Sequence, residues 1–214
     1  MLALALVGAG GACGDGDDES ERARQARRAA AEAGLSDDVQ DVFALAAEGI
    51  DGTFQVTYPL DDGRETVLTQ EPPNLRADVL KGGTIVESRL VRGEIAYYCV
   101  PDEKKQLDCD RLGTRAGIGG SFASKAVDTV IDRLRERADR YELTVEERRL
   151  LDVDARCLIA VRREDAPPDA ADAERGTACF SPEGAALLIE TADSTLRATE
   201  YTTDIPDGIF DLPR

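Results

Sequence analysis

Thr53-Phe54-Gln55-Val56-Thr57-Tyr58, running into Pro59-Leu60-Asp61-Asp62-Gly63, is the stretch that decides the fold. Phe54, Val56 and Tyr58 alternate with Thr53, Gln55 and Thr57, a period of two that gives a strand one apolar and one polar face. Asp61-Asp62-Gly63 is a hairpin turn signal, so the chain reverses into a second strand around residues 66–70. Pro72-Pro73-Asn74 breaks it before residues 75–80. Gly82-Gly83 turns it into 84–91, and Arg92-Gly93 turns it again into 94–100. Five short strands joined this tightly leave no room for parallel crossovers, and they predict an antiparallel meander.

Upstream, Ser36 is placed to cap a helix whose apolar residues Val39, Val42, Phe43 and Ala46 fall at i, i+3, i+4 and i+7, with Gly49 ending it. Residues 13–35 are polar and read as a tether, with a frayed helix over 20–33. Residues 1–12 are apolar and small, too short to span a bilayer, and read as the back half of a secretory signal. Gly11-Ala12 before Cys13 fits a bacterial lipobox, although Gly10 stands where leucine is usual. The acidic, flexible Gly14-Asp15-Gly16-Asp17-Asp18-Glu19 that follows suits a tether. Cys13 is therefore the expected lipid anchor, on the extracytoplasmic face of the cell membrane. The plainer alternative is a secreted protein with a cleaved signal.

Downstream of Cys109, a glycine-rich run from Gly113 to Gly120 leads to Ser121, a cap for an amphipathic helix over 122–138. Phe122, Ala126, Val127, Val130, Ile131, Leu134 and Ala138 form one stripe, with charged residues opposite. Such a stripe is ordinarily core packing; its functional reading is a helix over a sheet that takes lipid. The glycine run lacks the Gly-Lys-Ser/Thr ending of a phosphate loop, so it reads as a flexible entry to the helix. Leu151, Val153, Ala155, Cys157, Ile159 and Val161 then alternate as a strand. A charged loop over 162–175 carries Pro167-Pro168 and lacks calcium-loop spacing. Further strands are expected over 177–180, 185–191 and 196–202, which makes residues 36–214 one α+β domain.

Composition narrows function. The chain has 214 residues and a formal net charge of −17, which opposes nucleic-acid binding. It contains no histidine, which removes Ser-His-Asp and Cys-His catalysis and His-containing zinc sites. A carboxylate-only hydrolase survives in principle, but no pair stands out among the 43 acidic residues. The sequence assigns no catalytic residue, metal or cofactor. Apart from Cys13 there are four cysteines, Cys99, Cys109, Cys157 and Cys179, an even number that reads as two disulfides in an exported chain. Three connectivities are open. Proximity in sequence favours Cys99–Cys109 and Cys157–Cys179, each contributing roughly 2.5–3.5 kcal/mol by the loop-entropy argument. The rival is a four-cysteine zinc site, which ordinarily shows two Cys-x-x-Cys pairs; these are missing here.

The order of anchor, tether, helix, long meander, central amphipathic helix and further strands resembles the LolA-like lipoprotein-carrier superfamily, including actinobacterial envelope lipoproteins of the LppX/LprG type. The ending Ile205-Pro206-Asp207-Gly208-Ile209-Phe210-Asp211-Leu212-Pro213 is similar to a Pro-x-x-x-Phe-x-Leu-Pro close found in members. The segments Tyr97-Tyr98-Cys99…Cys109 and Cys179-Phe180-Ser181-Pro182-Glu183-Gly184 are similar to secreted members with paired cysteines. The resemblance covers about residues 36–213. It implies a curved antiparallel half-barrel with helices on its concave face and a cavity for acyl chains. The cavity lining would be Phe54, Val56, Tyr58, Phe122, Val127, Val130, Ile131 and Leu134. It brings no catalytic residues. The expected function is noncatalytic binding, with or without onward transfer, of a lipid or acylated ligand, with no protein partner named. The alternative is a protein-interaction or sensor module of the same fold that carries no lipid.

Overall fold

The computed structural model describes residues 20–114, 138–166 and 174–212. Within them the protein is mainly antiparallel sheet with two helices at its amino-terminal end. The first helix, α1 (Glu21–Glu32), starts at Ser20, whose hydroxyl accepts from the Ala23 amide at 3.2 Å. Small side chains let it lie close to the second helix, α2 (Asp37–Glu48), and Ala23 and Ala30 are buried. The frayed helix expected over 20–33 is thus a helix with a packed face. In α2, Val39, Val42, Phe43 and Ala46 are buried as their spacing predicts, and Asp37 and Asp38 oppose the helix dipole in the first turn. Ser36 occupies the N-cap position in extended conformation, but its hydroxyl makes no capping bond, so that expected bond is absent.

Six strands follow in a meander: β1 (Phe54–Pro59), β2 (Arg64–Glu71), β3 (Asn74–Lys81), β4 (Thr84–Arg92), β5 (Ile95–Pro101) and β6 (Leu107–Thr114). The break at Pro72-Pro73 is a hairpin tip between the paired residues Glu71 and Asn74. Gly82 and Gly83, at φ +57° and +75°, supply the left-handed backbone of the next two-residue turn. After one 3-10 turn, Ala138–Arg140, come β7 (Tyr141–Leu150), β8 (Val153–Arg162), β9 (Arg175–Phe180), β10 (Ala186–Glu190), β11 (Thr195–Arg197) and β12 (Glu200–Thr202). Two expectations are corrected. Leu151 is not in a strand: with Asp152 it forms the β7–β8 turn, both at positive φ. The single strand expected over 196–202 is two short ones.

That division has a topological cause. β12 pairs with β1 at the edge of a seven-stranded sheet, whereas β11 pairs with β10 at the edge of a five-stranded sheet. Between them the Ala198 amide donates to Leu187 O and the Thr199 amide to Thr57 O, each at 2.9 Å. One segment therefore passes from one sheet to the other and joins them. The order runs from β7 through β10, across this segment to β1, and on to β6. Among the described residues the arrangement is open, with β6 and β7 outermost.

The helices cover only one side of the five-stranded sheet. Val39, Val42, Phe43 and Ala46 of α2 pack with Leu158, Ala178, Phe180 and Ile189. Successive strand residues point to opposite faces. Ala155 and Cys157 of β8 and Cys179 of β9 therefore belong to a second cluster on the other side. The helix expected over 122–138 lies almost wholly outside the described residues, as do Cys13, the Pro167-Pro168 portion of the charged loop and Pro213.

Candidate functional site

The second cluster is built from the stretch that decided the fold. Phe54, Val56 and Tyr58 stand on one face of β1, opposite Gln70, Leu68 and Thr66 of β2. Leu68 and Gln70 in turn face Ala77 and Leu75 of β3. Leu187, Leu188, Ala198, Ala155, Cys157 and Cys179 complete the cluster from the second sheet. Phe54, Val56 and Tyr58 are each at most 4% exposed, which makes this apolar surface a core element in its centre. Full burial of such a side chain contributes roughly 1.5–3 kcal/mol. Around that centre Leu75, Ala77, Leu150, Val153 and Tyr201 pack against it and are only partly buried. The result is an apolar face with a closed middle and a more open margin.

Tyr58, Gln70 and Tyr201 bring polar groups to this face, and each has a partner. The Tyr58 hydroxyl donates to Ala186 O at 2.6 Å, tying β1 to β10 across the join, and burial pushes its pKa upward. The Gln70 side-chain amide donates to the carbonyls of Gly49, Ile50 and Gly52 at 2.7, 2.9 and 2.8 Å. These oxygens lie just beyond α2, where carbonyls lose their helical partners, so a strand side chain satisfies the helix end. The Tyr201 hydroxyl donates to the Glu183 carboxylate; burial first, and that carboxylate second, raise its pKa. A phenol kept protonated in this way supplies no base at neutral pH.

On the opposite face of β3, Arg76 and Asp78 form an ion pair at 2.9 Å, with side chains 12% and 10% exposed. Arg76 also donates to Ile209 O at 2.6 Å, which fastens the carboxy-terminal segment and its buried Phe210 to the sheet. Arg92 adds a longer, exposed contact of 3.6 Å to Asp211. A shallow depression of about 270 Å³, lined by Ser20, Glu48, Asp51, Gly52, Pro182 and Glu183, lies at the end of α2. Its carboxylates make it acidic. Among the described residues no group of three or more His, Cys, Asp or Glu side chains is arranged to hold a metal.

Of the expected lining residues, Phe54, Val56 and Tyr58 come together on this face. Phe122, Val127, Val130, Ile131 and Leu134 lie outside the described residues. The four cysteines form the two disulfides favoured by proximity, Cys99–Cys109 and Cys157–Cys179, between residues directly opposite in adjacent strands. Their Cα atoms are 4.0 and 3.9 Å apart. Sequence reasoning missed Leu187, Gln70 and Arg76. Leu187 sits within a recognised apolar run and could have been found, whereas the partners of Gln70 and Arg76 are backbone carbonyls or a same-strand carboxylate. Among the described residues no helix is long and apolar enough to cross a membrane. The chain matches no family model, and no curated protein matches it.

Proposed function

We propose that the protein is a noncatalytic envelope lipoprotein that binds, and can hand on, a hydrophobic ligand: a lipid or the acyl chains of an acylated molecule. The observation that carries this reading is the apolar face shared by both sheets, whose margin at Leu75, Ala77, Val153 and Tyr201 is incompletely buried. Apolar side chains with few polar groups are the usual lining of a site for such ligands. The LolA-like half-barrel, with helices on a concave face, is the fold reading that accompanies it. An open antiparallel arrangement with outermost strands β6 and β7 is compatible with that reading.

The binding test uses a fluorescent fatty acid with the purified chain. Saturable uptake, displaced by unlabelled fatty acid and weakened about tenfold or more by Leu75→Gln, is the expected result, since the substitution places an amide in the apolar margin. Absence of saturable uptake by the wild type would contradict it. Anchoring through Cys13 at the extracytoplasmic face of the cell membrane belongs to the same proposal. With the gene's natural start, metabolic fatty-acid labelling should mark the wild type and not Cys13→Ser, and equal labelling of both would remove the anchor.

The second reading is an interaction or sensor module without lipid. It is favoured by the close packing of Phe54, Val56 and Tyr58 and by the Tyr58–Ala186 hydrogen bond, which together fill the middle of the face.

A further inference from the structure

The two disulfides occupy different surroundings. Cys157–Cys179 joins β8 to β9, inside the five-stranded sheet, and neither cysteine has exposed surface. It lies in the apolar cluster with Phe54, Val56 and Leu187. Cys99–Cys109 joins β5 to β6, and β6 is the outermost strand of its sheet among the described residues. Cys99 is buried, but Cys109 is only half-buried. No residue of β6 belongs to either apolar cluster, and Asp108, Asp110, Arg111 and Leu112 are exposed. Among the described residues, the β5 ladder and this one covalent bond are thus the attachments of β6 that stand out.

We propose that Cys99–Cys109 is a thiol-exchangeable latch for β6, opened by a dithiol reductant, while Cys157–Cys179 is a closed structural bond. Access decides which bond exchanges, because the attacking thiolate must reach a sulfur from solvent. One thiolate of the reductant attacks the Cys109 sulfur; the disulfide breaks, and its electron pair leaves on the Cys99 sulfur, which takes up a proton. The second thiol, on losing its proton, attacks the resulting mixed disulfide and releases Cys109, which takes up the other proton. The reductant departs as its own disulfide, having given two electrons and two protons. Opening leaves both apolar clusters in place and removes the covalent link from β6 to β5, leaving their ladder of hydrogen bonds.

The test treats the oxidised, folded full chain with dithiothreitol at neutral pH, quenches with iodoacetamide and maps the alkylated cysteines. Circular dichroism and amide exchange are followed in parallel. Cys99 and Cys109 should become alkylated about tenfold or more faster than Cys157 and Cys179. The dichroism should hold while amides of residues 107–114 exchange faster. The latch is overturned if Cys157–Cys179 opens as fast or first, if Cys99–Cys109 opens only as the fold is lost, or if exchange over 107–114 does not change.

Discussion

Tyr58 illustrates how one side chain serves both packing and connection. Its ring lies in the apolar face, and its hydroxyl spans from β1 to the Ala186 carbonyl of β10. Burial raises its pKa above the ordinary value of about 10, so the folded chain keeps a proton there that the unfolded chain releases first. The unfolded state then binds fewer protons, and stability falls as pH rises. This contribution is fully present below about pH 10 and is lost above it. Tyr201 acts in the same direction. Denaturant melts of the wild type should therefore lose stability above about pH 10, and Tyr58→Phe should show a shallower loss. At neutral pH the same substitution should cost about 1 kcal/mol, because the Ala186 carbonyl loses its donor. An equally steep alkaline loss in the variant would place the effect elsewhere.

At the scale of elements, Arg76 links β3 to the carboxy-terminal segment through Ile209 while pairing with Asp78. Arg76→Ala should cost roughly 3 kcal/mol in chemical denaturation, because it leaves the nearly buried Asp78 carboxylate without its cation. It should also make the segment around Phe210 easier to cleave by limited proteolysis; unchanged stability and cleavage would contradict this. Neither bond was legible in the sequence, since nothing in a side chain's identity announces a carbonyl 133 positions away. By contrast, β1 to β5, β8 and α2 were legible, because periods of 2 and 3.6 survive wherever one face is buried. β6 and β7 were missed for the converse reason. As outermost strands they carry charge on both sides, Asp108, Asp110 and Arg111 in one and Glu146-Glu147-Arg148-Arg149 in the other, which blurs the alternation. Proximity was enough for the disulfides, because each pair falls on neighbouring strands.

For the whole molecule, the segment from Thr195 to Thr202 matters most, since it joins the two sheets and makes their apolar surfaces one face. That continuity was not visible in the sequence, which read the segment as one strand and gave no sign that it changes partner at Ala198 and Thr199. The face has a filled centre and an open margin, so the central claim is that a hydrophobic ligand occupies that margin. Native mass spectrometry of the full chain, purified without detergent from a host that exports and acylates it, tests this most directly. The account predicts a species heavier than the acylated chain by a lipid mass, about one lipid per chain, that disappears on organic extraction and is recovered in the extract. A single species at the mass of the acylated chain, with no lipid recovered, would contradict it.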